Sequence, residues 1–65
     1  MRITLLPQHK QVDLPGRHRV AEVLRHLGML PGTAMVIRGD ELVTEQDFLE
    51  ADDNVEIRSV ISGGA

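Results

Sequence analysis

The chain has 65 residues, seven of them basic and ten acidic, with a formal net charge of −3, no cysteine and a single aromatic residue, Phe48. This length allows one small domain, and a domain of this size buries only about 60% of the surface of its unfolded chain. The lack of cysteine excludes disulfides, thiol nucleophiles and cysteine-held metal clusters. The negative charge and the single aromatic residue argue against direct binding of nucleic acid.

The charge is divided unevenly along the chain. Residues 1–38 carry six basic and two acidic side chains, a net +4, whereas residues 39–65 carry one basic and eight acidic side chains, a net −7. A solvated surface that keeps a small protein soluble is the ordinary explanation, and an acidic face that docks on a basic partner is the alternative. The sequence shows neither a signal peptide nor an apolar run that could span a bilayer. We therefore expect a soluble, cytoplasmic protein without a membrane partner.

The first predicted element is a β-hairpin. Apolar residues alternate with other residues over 2–6 and again over 11–14, and Pro7-Gln8-His9 separates the two segments. Pro15-Gly16 ends the second strand.

A helix is predicted next, because four apolar residues recur at the spacing of one helix face: Val20, Val23, Leu24 and Leu27. Gly28 suits the left-handed position after a helix, and Pro31 prevents the helix from continuing. The start of the helix is poorly marked, because Arg17-His18-Arg19 contains no good N-cap residue.

The second half of the chain predicts three strands and an irregular crossing. The apolar run 34–37 predicts a strand buried on both faces, and Gly39-Asp40 predicts a turn into a short strand at 41–43. The mostly polar segment 44–53 predicts a crossing in which Phe48 and Leu49 fill the core. Alternation over 55–61 predicts the last strand.

This element order predicts an α+β fold, a mixed sheet of four to five strands over one helix, since such a sheet buries the single apolar stripe. The predicted boundaries are a folded domain at 1–61 and a flexible C-terminal tail at 62–65, which contains Gly63 and Gly64.

Four segments, taken in order, resemble the ThiS/MoaD family of ubiquitin-like sulfur carriers, which have a β-grasp fold. They are Val23-Leu24 with Leu27-Gly28, the turn segment 36–42, Asp53 to Ile57, and Ile61-Ser62-Gly63-Gly64. Within that family, the bacterial carriers for tRNA 2-thiouridine synthesis share the short length, the Arg-Gly turn and the Ile-Ser-Gly-Gly end. The sequence departs from the family at Asp52, where many members have glycine, and at Ala65, which follows the glycine that usually ends the chain.

The resemblance implies a carrier and co-substrate, not an enzyme. Gly64 would be adenylated and converted to a thiocarboxylate, and Ser62 and Gly63 would pass through a narrow channel of the activating enzyme, because glycine has no side chain to clash there. The expected docking residues beside the tail are Arg58, Val60 and Ile61. No bound cofactor, catalytic residue or metal ligand is expected, and ATP and Mg²⁺ are used by the activating enzyme.

The resemblance also implies the partners. These are a ubiquitin-activating-type adenylyltransferase, a sulfur donor (a cysteine desulfurase or a rhodanese), an acceptor sulfurtransferase or synthase, and a peptidase that removes Ala65. An engineered extension is the alternative explanation of Ala65. The tRNA 2-thiouridine pathway is favoured as the acceptor, followed by thiamine thiazole and molybdopterin synthesis. A second role as a ubiquitin-like protein modifier stays open, and self-conjugation would then use Lys10 or Met1.

A different function also stays open, a non-catalytic β-grasp interaction or regulatory module in which the tail is irrelevant. Deletion of residues 63–65 distinguishes the two functions. The remaining candidate sites are weaker. His9, His18 and His26 lack the spacing of metal ligands. Arg38-Gly39-Asp40 is better explained as a turn than as an adhesion motif. Asp52-Asp53 is better explained as a turn than as a cation site. A serine triad built on Ser59 or Ser62 lacks room for an oxyanion hole and a substrate cleft.

Overall fold

A computed structural model describes residues 1–30 and 32–59 of the chain. Within these residues there are seven strands and one helix: β1 (Arg2–Leu6), β2 (Lys10–Asp13), β3 (His18–Arg19), α1 (Val20–His26), β4 (Ala34–Arg38), β5 (Glu41–Val43), β6 (Phe48–Leu49) and β7 (Asn54–Ser59). The predicted hairpin, helix and three later strands are confirmed. Strands β3 and β6 were not predicted.

The main sheet has five strands in the order β2-β1-β7-β4-β5. The two central neighbours, β1 and β7, are parallel, whereas β2, β4 and β5 join their neighbours in antiparallel pairs. Strands β3 and β6 form a separate antiparallel pair. This mixed sheet with one helix is the predicted α+β class, and it has the layout of a small ubiquitin-like β-grasp domain.

The core lies between α1 and one face of the sheet. The helix contributes three fully buried residues, Val20, Val23 and Leu24, and Leu27 packs at the margin. The inner face of the sheet contributes alternate residues of each strand, among them Ile3, Val36, Val55 and Ile57. The predicted helix stripe is therefore the helix side of the core.

The start of α1 is held by a distant loop. The N–H groups of Val20 and Ala21 donate to the carbonyl oxygens of Asp47 (2.9 Å) and Glu45 (3.1 Å). The Glu22 carboxylate accepts the N–H of Arg19 at 3.0 Å. Free N–H groups at a helix start need acceptors, and here the loop supplies them in place of an N-cap side chain. This explains why the local sequence carries no N-cap signal.

The end of α1 is a Schellman motif. Gly28 has φ +76°, its N–H donates to the carbonyl oxygen of Arg25 at 3.0 Å, and the N–H of Met29 donates to that of Leu24 at 2.8 Å. Such 5→2 and 6→1 bonds satisfy the last helix carbonyls, and they require a left-handed residue between them. The predicted role of Gly28 is confirmed.

We expect Gly28→Ala to lower the free energy of unfolding by about 1–2 kcal/mol, because a Cβ is disfavoured in the left-handed region. A Cβ built at Gly28 meets nothing within 4 Å, so the cost comes from the backbone and not from a clash. Urea melts would measure it. Gly28→Asn is the matched control and should cost less, since asparagine tolerates this conformation. Equal losses in both variants would contradict the backbone explanation.

The prediction that strand 34–37 is buried on both faces is wrong for β4. Val36 is buried on the helix side, but Met35 is 41% exposed on the opposite side and Ile37 is half-buried there. The reason is that α1 covers only one face of the sheet. An apolar run therefore does not establish burial on both faces.

The prediction for Phe48 and Leu49 is half right. Leu49 is fully buried in the core, whereas Phe48 is half-buried and contacts two guanidinium groups, with the Cζ atoms of Arg17 and Arg19 at 4.1 and 4.7 Å from the ring centre. Both residues belong to β6, which pairs with His18 and Arg19 of β3. The crossing therefore contains a short strand, and the aromatic ring forms cation–π contacts at its surface.

Two similar turns flank β6. The Asp47 carboxylate accepts the N–H of Thr44 at 2.8 Å, and the Asp53 carboxylate accepts the N–H of Glu50 at 2.8 Å. In each turn the aspartate N–H donates back to the carbonyl oxygen of the same residue at 3.1 Å. The aspartates of this acidic segment thus close turns, as predicted for Asp53.

The predicted tail at 62–65 lies outside the described residues, as do Val60 and Ile61. Within the described residues, no helix has the length and apolar character needed to cross a membrane.

Candidate functional site

The root of the predicted tail is the end of β7, a central strand of the sheet. β7 is paired on both sides, and at its last residues Arg58 is in register with Leu6 of β1 and Met35 of β4, while Ser59 is in register with Ala34. A strand bonded on both sides is among the last parts of a domain to open. The segment that follows Ser59 is therefore attached to a rigid anchor.

The sheet face opposite α1 carries an apolar surface beside this root. Its members come from three strands, and we call them the outer patch: Leu6, Met35, Ile37 and Leu42. The register places Leu42, Ile37 and Glu56 in one row and Met35, Arg58 and Leu6 in the next. Leu42 is 62% exposed and Met35 is 41% exposed. Met35, Ile37 and Leu42 are neighbours on this face, and exposed apolar residues that lie together mark contact sites for other proteins.

Arg58, a predicted docking residue, lies within this surface. Its side chain is exposed, and its Nε donates to the Glu56 carboxylate at 2.6 Å on the same face of β7. An exposed ion pair contributes little to stability, so both groups can exchange partners at low cost. The structure thus brings Arg58 together with Met35 and Leu6, whereas the other predicted docking residues, Val60 and Ile61, lie outside the described residues.

A shallow cavity of about 450 Å³ also opens at this end of the sheet. It is lined by Leu6, Pro7, His9, Arg58 and Ser59. Its walls combine apolar side chains from the end of β1 with polar groups from the first turn and from β7. The cavity therefore adjoins the root of the tail and the outer patch.

Sequence reasoning missed all four residues of the outer patch, Leu6, Met35, Ile37 and Leu42. The run 34–37 is apolar at every position, so its alternation is hidden, and only the single helix implies that one face stays open. One signal was available: Leu42 stands next to Val43, and two neighbouring residues of a strand point to opposite faces. With Val43 in the core, Leu42 has to face away from it.

The acidic half of the chain is engaged mainly within the fold. Besides the two turn aspartates, three of its glutamates pair with arginines: Glu41 with Arg38 at 2.9 Å, Glu50 with Arg17 at 3.0 Å and Glu56 with Arg58 at 2.6 Å. Two of these pairs, those to Arg17 and Arg38, join the acidic half of the chain to the basic half, and the third lies within the acidic half. This favours the explanation of a solvated surface over an acidic docking face.

The Arg38 side chain links the hairpin formed by β4 and β5 to the segment 44–53 that follows it. Its guanidinium donates to the carbonyl oxygen of Phe48 and to the Glu41 carboxylate, each at 2.9 Å. The hydrogen bond to Glu41 and the neighbouring negative charges raise the pKa of Arg38 above its ordinary value, although partial burial opposes the shift. The predicted turn at Gly39-Asp40 is confirmed, since both residues connect β4 and β5.

The fold and this site define a ubiquitin-like β-grasp protein with an open sheet face beside the root of a C-terminal segment. No protein-family model matches the chain. The chain is 43% identical over 65 residues to the sulfur carrier protein TtuB of Thermus thermophilus, and the match covers 98% of this chain and 100% of that protein. The chain therefore belongs to the family of TtuB-like sulfur carrier proteins.

Membership of this family confirms the predicted resemblance and the coarse function. A sulfur carrier protein bears sulfur for other proteins and is not itself an enzyme. The predicted reaction residue Gly64, the passage residues Ser62 and Gly63 and the processing residue Ala65 lie outside the described residues, so their roles stay predictions.

Proposed function

We propose that the carboxylate of Gly64 is adenylated by an ATP-dependent activating enzyme and then converted to a thiocarboxylate. The observation that carries this proposal is the likeness to a sulfur carrier along nearly the whole chain. The sequence Ser62-Gly63-Gly64 supports it, because it follows the central strand after only two further residues.

The reaction needs activation because a free carboxylate is a poor electrophile. ATP, used with Mg²⁺ by the activating enzyme, converts it to an acyl-adenylate and releases pyrophosphate. A persulfide or sulfide from the sulfur donor then attacks the carbonyl carbon, a C–S bond forms, and the C–O bond to AMP breaks. A cysteine desulfurase or a rhodanese is the proposed donor. These reagents are those of the cytoplasm, which is the proposed location.

The outer patch is the proposed dock for the adenylyltransferase. The patch adjoins the end of β7, so a partner seated on Met35 and Leu42 is placed to receive the tail that follows Ser59. Apolar side chains that become buried in a contact supply most of its affinity, and Arg58 adds a charge that can re-pair with the partner.

We expect Leu42→Ala to raise the KM of adenylation by about fivefold to tenfold, with kcat unchanged, because a buried contact contributes about 1–1.4 kcal/mol to docking. The free energy of unfolding should change by less than about 0.5 kcal/mol, since Leu42 is exposed. Leu30→Ala is the matched control, because Leu30 is 70% exposed and lies after α1, outside the sheet. Equal KM values for the two variants would exclude the outer patch as the dock.

The sulfur acceptor favoured by the resemblance is the tRNA 2-thiouridine pathway, through an acceptor sulfurtransferase. Thiamine thiazole and molybdopterin synthesis are the alternatives. The test supplies thiocarboxylated chain to each purified acceptor enzyme and follows the transfer of labelled sulfur. Transfer to tRNA supports the favoured acceptor, and transfer only to a thiazole or molybdopterin synthase replaces it.

The reactive form in this proposal is the chain that ends at Gly64. A carboxylate on Ala65 would be displaced by one residue, about 3.3–3.6 Å when extended. We propose that a peptidase removes Ala65 before activation. Incubation of the 65-residue chain with a lysate of its source should then release a single alanine, which intact mass detects.

A further inference from the structure

We propose that Lys10 is an acceptor for acyl transfer from Gly64 of a second copy of this chain, so that copies become joined by an isopeptide bond. The inference rests on the proposed adenylation of Gly64. It adds the acceptor amine and the surface that receives the incoming tail.

Lys10 is the sole side-chain amine in the sequence. Six of the seven basic residues are arginines, and only Lys10 is a lysine. A guanidinium stays protonated in proteins and presents no free lone pair, so it is not acylated. An activated acyl group that meets this protein therefore finds one side chain that can form a stable amide.

The two amines of the structure differ in access. The ammonium group of Met1 donates to the carbonyl oxygen of Leu14 at 2.6 Å, and Met1 is only 6% exposed. Lys10 is exposed, and among residues 1–30 and 32–59 no hydrogen bond or ion pair holds its side chain. The geometry therefore favours the ε-amine of Lys10 over the amine of Met1.

Lys10 begins β2, which lies at an open edge of the sheet. Met1 and Leu14 exchange both of their backbone hydrogen bonds, and in an antiparallel pair every second pair of opposite residues does so. The register therefore makes the backbone groups of Val12 and Lys10 bond to β1. The backbone groups of Gln11 and Asp13 therefore point away from β1, toward the open edge. An extended peptide can add to such an edge as a further strand, which would bring it alongside Lys10.

The tail of a second copy has suitable chemistry for this edge. Residues 60–64 are uncharged, so they can be desolvated without loss of ionic hydration. Lys10 lies opposite Leu5 in the β1–β2 pair, and on the same face Leu5 and Val12 are partly buried against the core, which offers apolar surface to incoming valine or isoleucine side chains. Because the uncharged tail suits an apolar edge, we infer that the peptide added to this edge is the tail of a second copy.

The acyl-transfer step is balanced without an oxidant or reductant. The neutral ε-amine of Lys10 attacks the carbonyl carbon of the Gly64 adenylate, the C–N bond forms, the C–O bond to phosphate breaks, and AMP leaves. The proton lost by the amine passes to solvent. The step competes with sulfide for the same adenylate.

The test uses the chain that ends at Gly64 with its activating enzyme, ATP and Mg²⁺, and omits the sulfur donor. We expect a covalent dimer whose mass is that of two chains less one water, with a Gly-Gly remnant on Lys10 after proteolysis. Lys10→Arg should remove at least about 90% of the dimer, because arginine keeps the charge and lacks the nucleophile. Isotope-labelled Lys10→Arg mixed with unlabelled wild type should still serve as the donor.

Pyrophosphate exchange and thiocarboxylate formation in the same samples separate the two proposals. Both should be unchanged in Lys10→Arg. Normal exchange without a dimer, a dimer that persists in Lys10→Arg, or a monomer lighter by one water would each overturn the role of Lys10 and leave the adenylation of Gly64 intact. A lack of exchange in the wild type would overturn the proposed adenylation, and the inference about Lys10 with it.

Discussion

Leu24→Ala is expected to lower the free energy of unfolding by about 2–5 kcal/mol, the range for a leucine removed from a core. Leu24 is 1% exposed and lies at the centre of the only helix face that covers the sheet in the described part of the chain. The total stability of a domain of this length is roughly 3–10 kcal/mol. The variant should therefore be close to unfolded at physiological temperature, and urea melts followed by circular dichroism would show the loss.

Leu30→Ala is the matched control for this prediction, because it removes the same atoms from a side chain that is 70% exposed. Its free energy of unfolding should change by less than about 0.5 kcal/mol. A similar loss in both variants would mean that the effect does not come from burial. An unchanged midpoint for Leu24→Ala would mean that α1 is not packed on the sheet as described.

The elements that could be predicted from the sequence are those with a local signal. The stripe from Val20 to Leu27 has helical spacing, and Gly28 supplies the left-handed residue that ends the helix. The first hairpin has alternating residues on both sides of its turn. In each case the residues that fix the structure are close together in the chain, so that a single window contains the whole signal.

The features that were missed depend on residues that are far apart in the chain. The first N–H groups of α1 are satisfied by the carbonyl oxygens of Glu45 and Asp47, which lie in the second half of the chain. Strand β3 exists only because β6 pairs with it, since two residues cannot form a strand alone. No local pattern at Arg17-His18-Arg19 could indicate either contact.

The candidate site likewise has one part that was predicted from the sequence and one part that was missed. The tail was predicted from Ser62-Gly63-Gly64 and from the resemblance that surrounds it, whereas all four residues of the outer patch were missed. Three strands contribute to that patch, and which face of β4 stays open depends on where α1 packs. Arg58 was predicted because it adjoins the tail in sequence. Met35 adjoins it only through the register of β4 with β7.

Gly64 is expected to be required for the carrier reaction, and a change at this position should have the largest effect on activity. A chain that ends at Gly64 should support pyrophosphate exchange, and with a sulfur donor its intact mass should rise by the difference between sulfur and oxygen. Gly64→Ala at the same end should be slower by on the order of 100-fold, because a methyl group displaces the carboxylate from its attack geometry. Ser62→Ala is the control, since it adds no atom to the tail.

The chain that ends at Ala65 tests the same attack geometry, because it lengthens the tail by one residue, whereas Gly64→Ala adds only a methyl group. Its carboxylate is displaced by about 3.3–3.6 Å when extended, which exceeds what an attack geometry tolerates, so we expect exchange to be lost. Deletion of residues 63–65 should also abolish exchange, but because the outer patch is intact, this variant should still compete for the activating enzyme. Full exchange by the Ala65-ended chain would remove the need for processing. A biological function that survives the deletion of residues 63–65 would favour the non-catalytic interaction module, because that function could then depend on the sheet face and not on the tail.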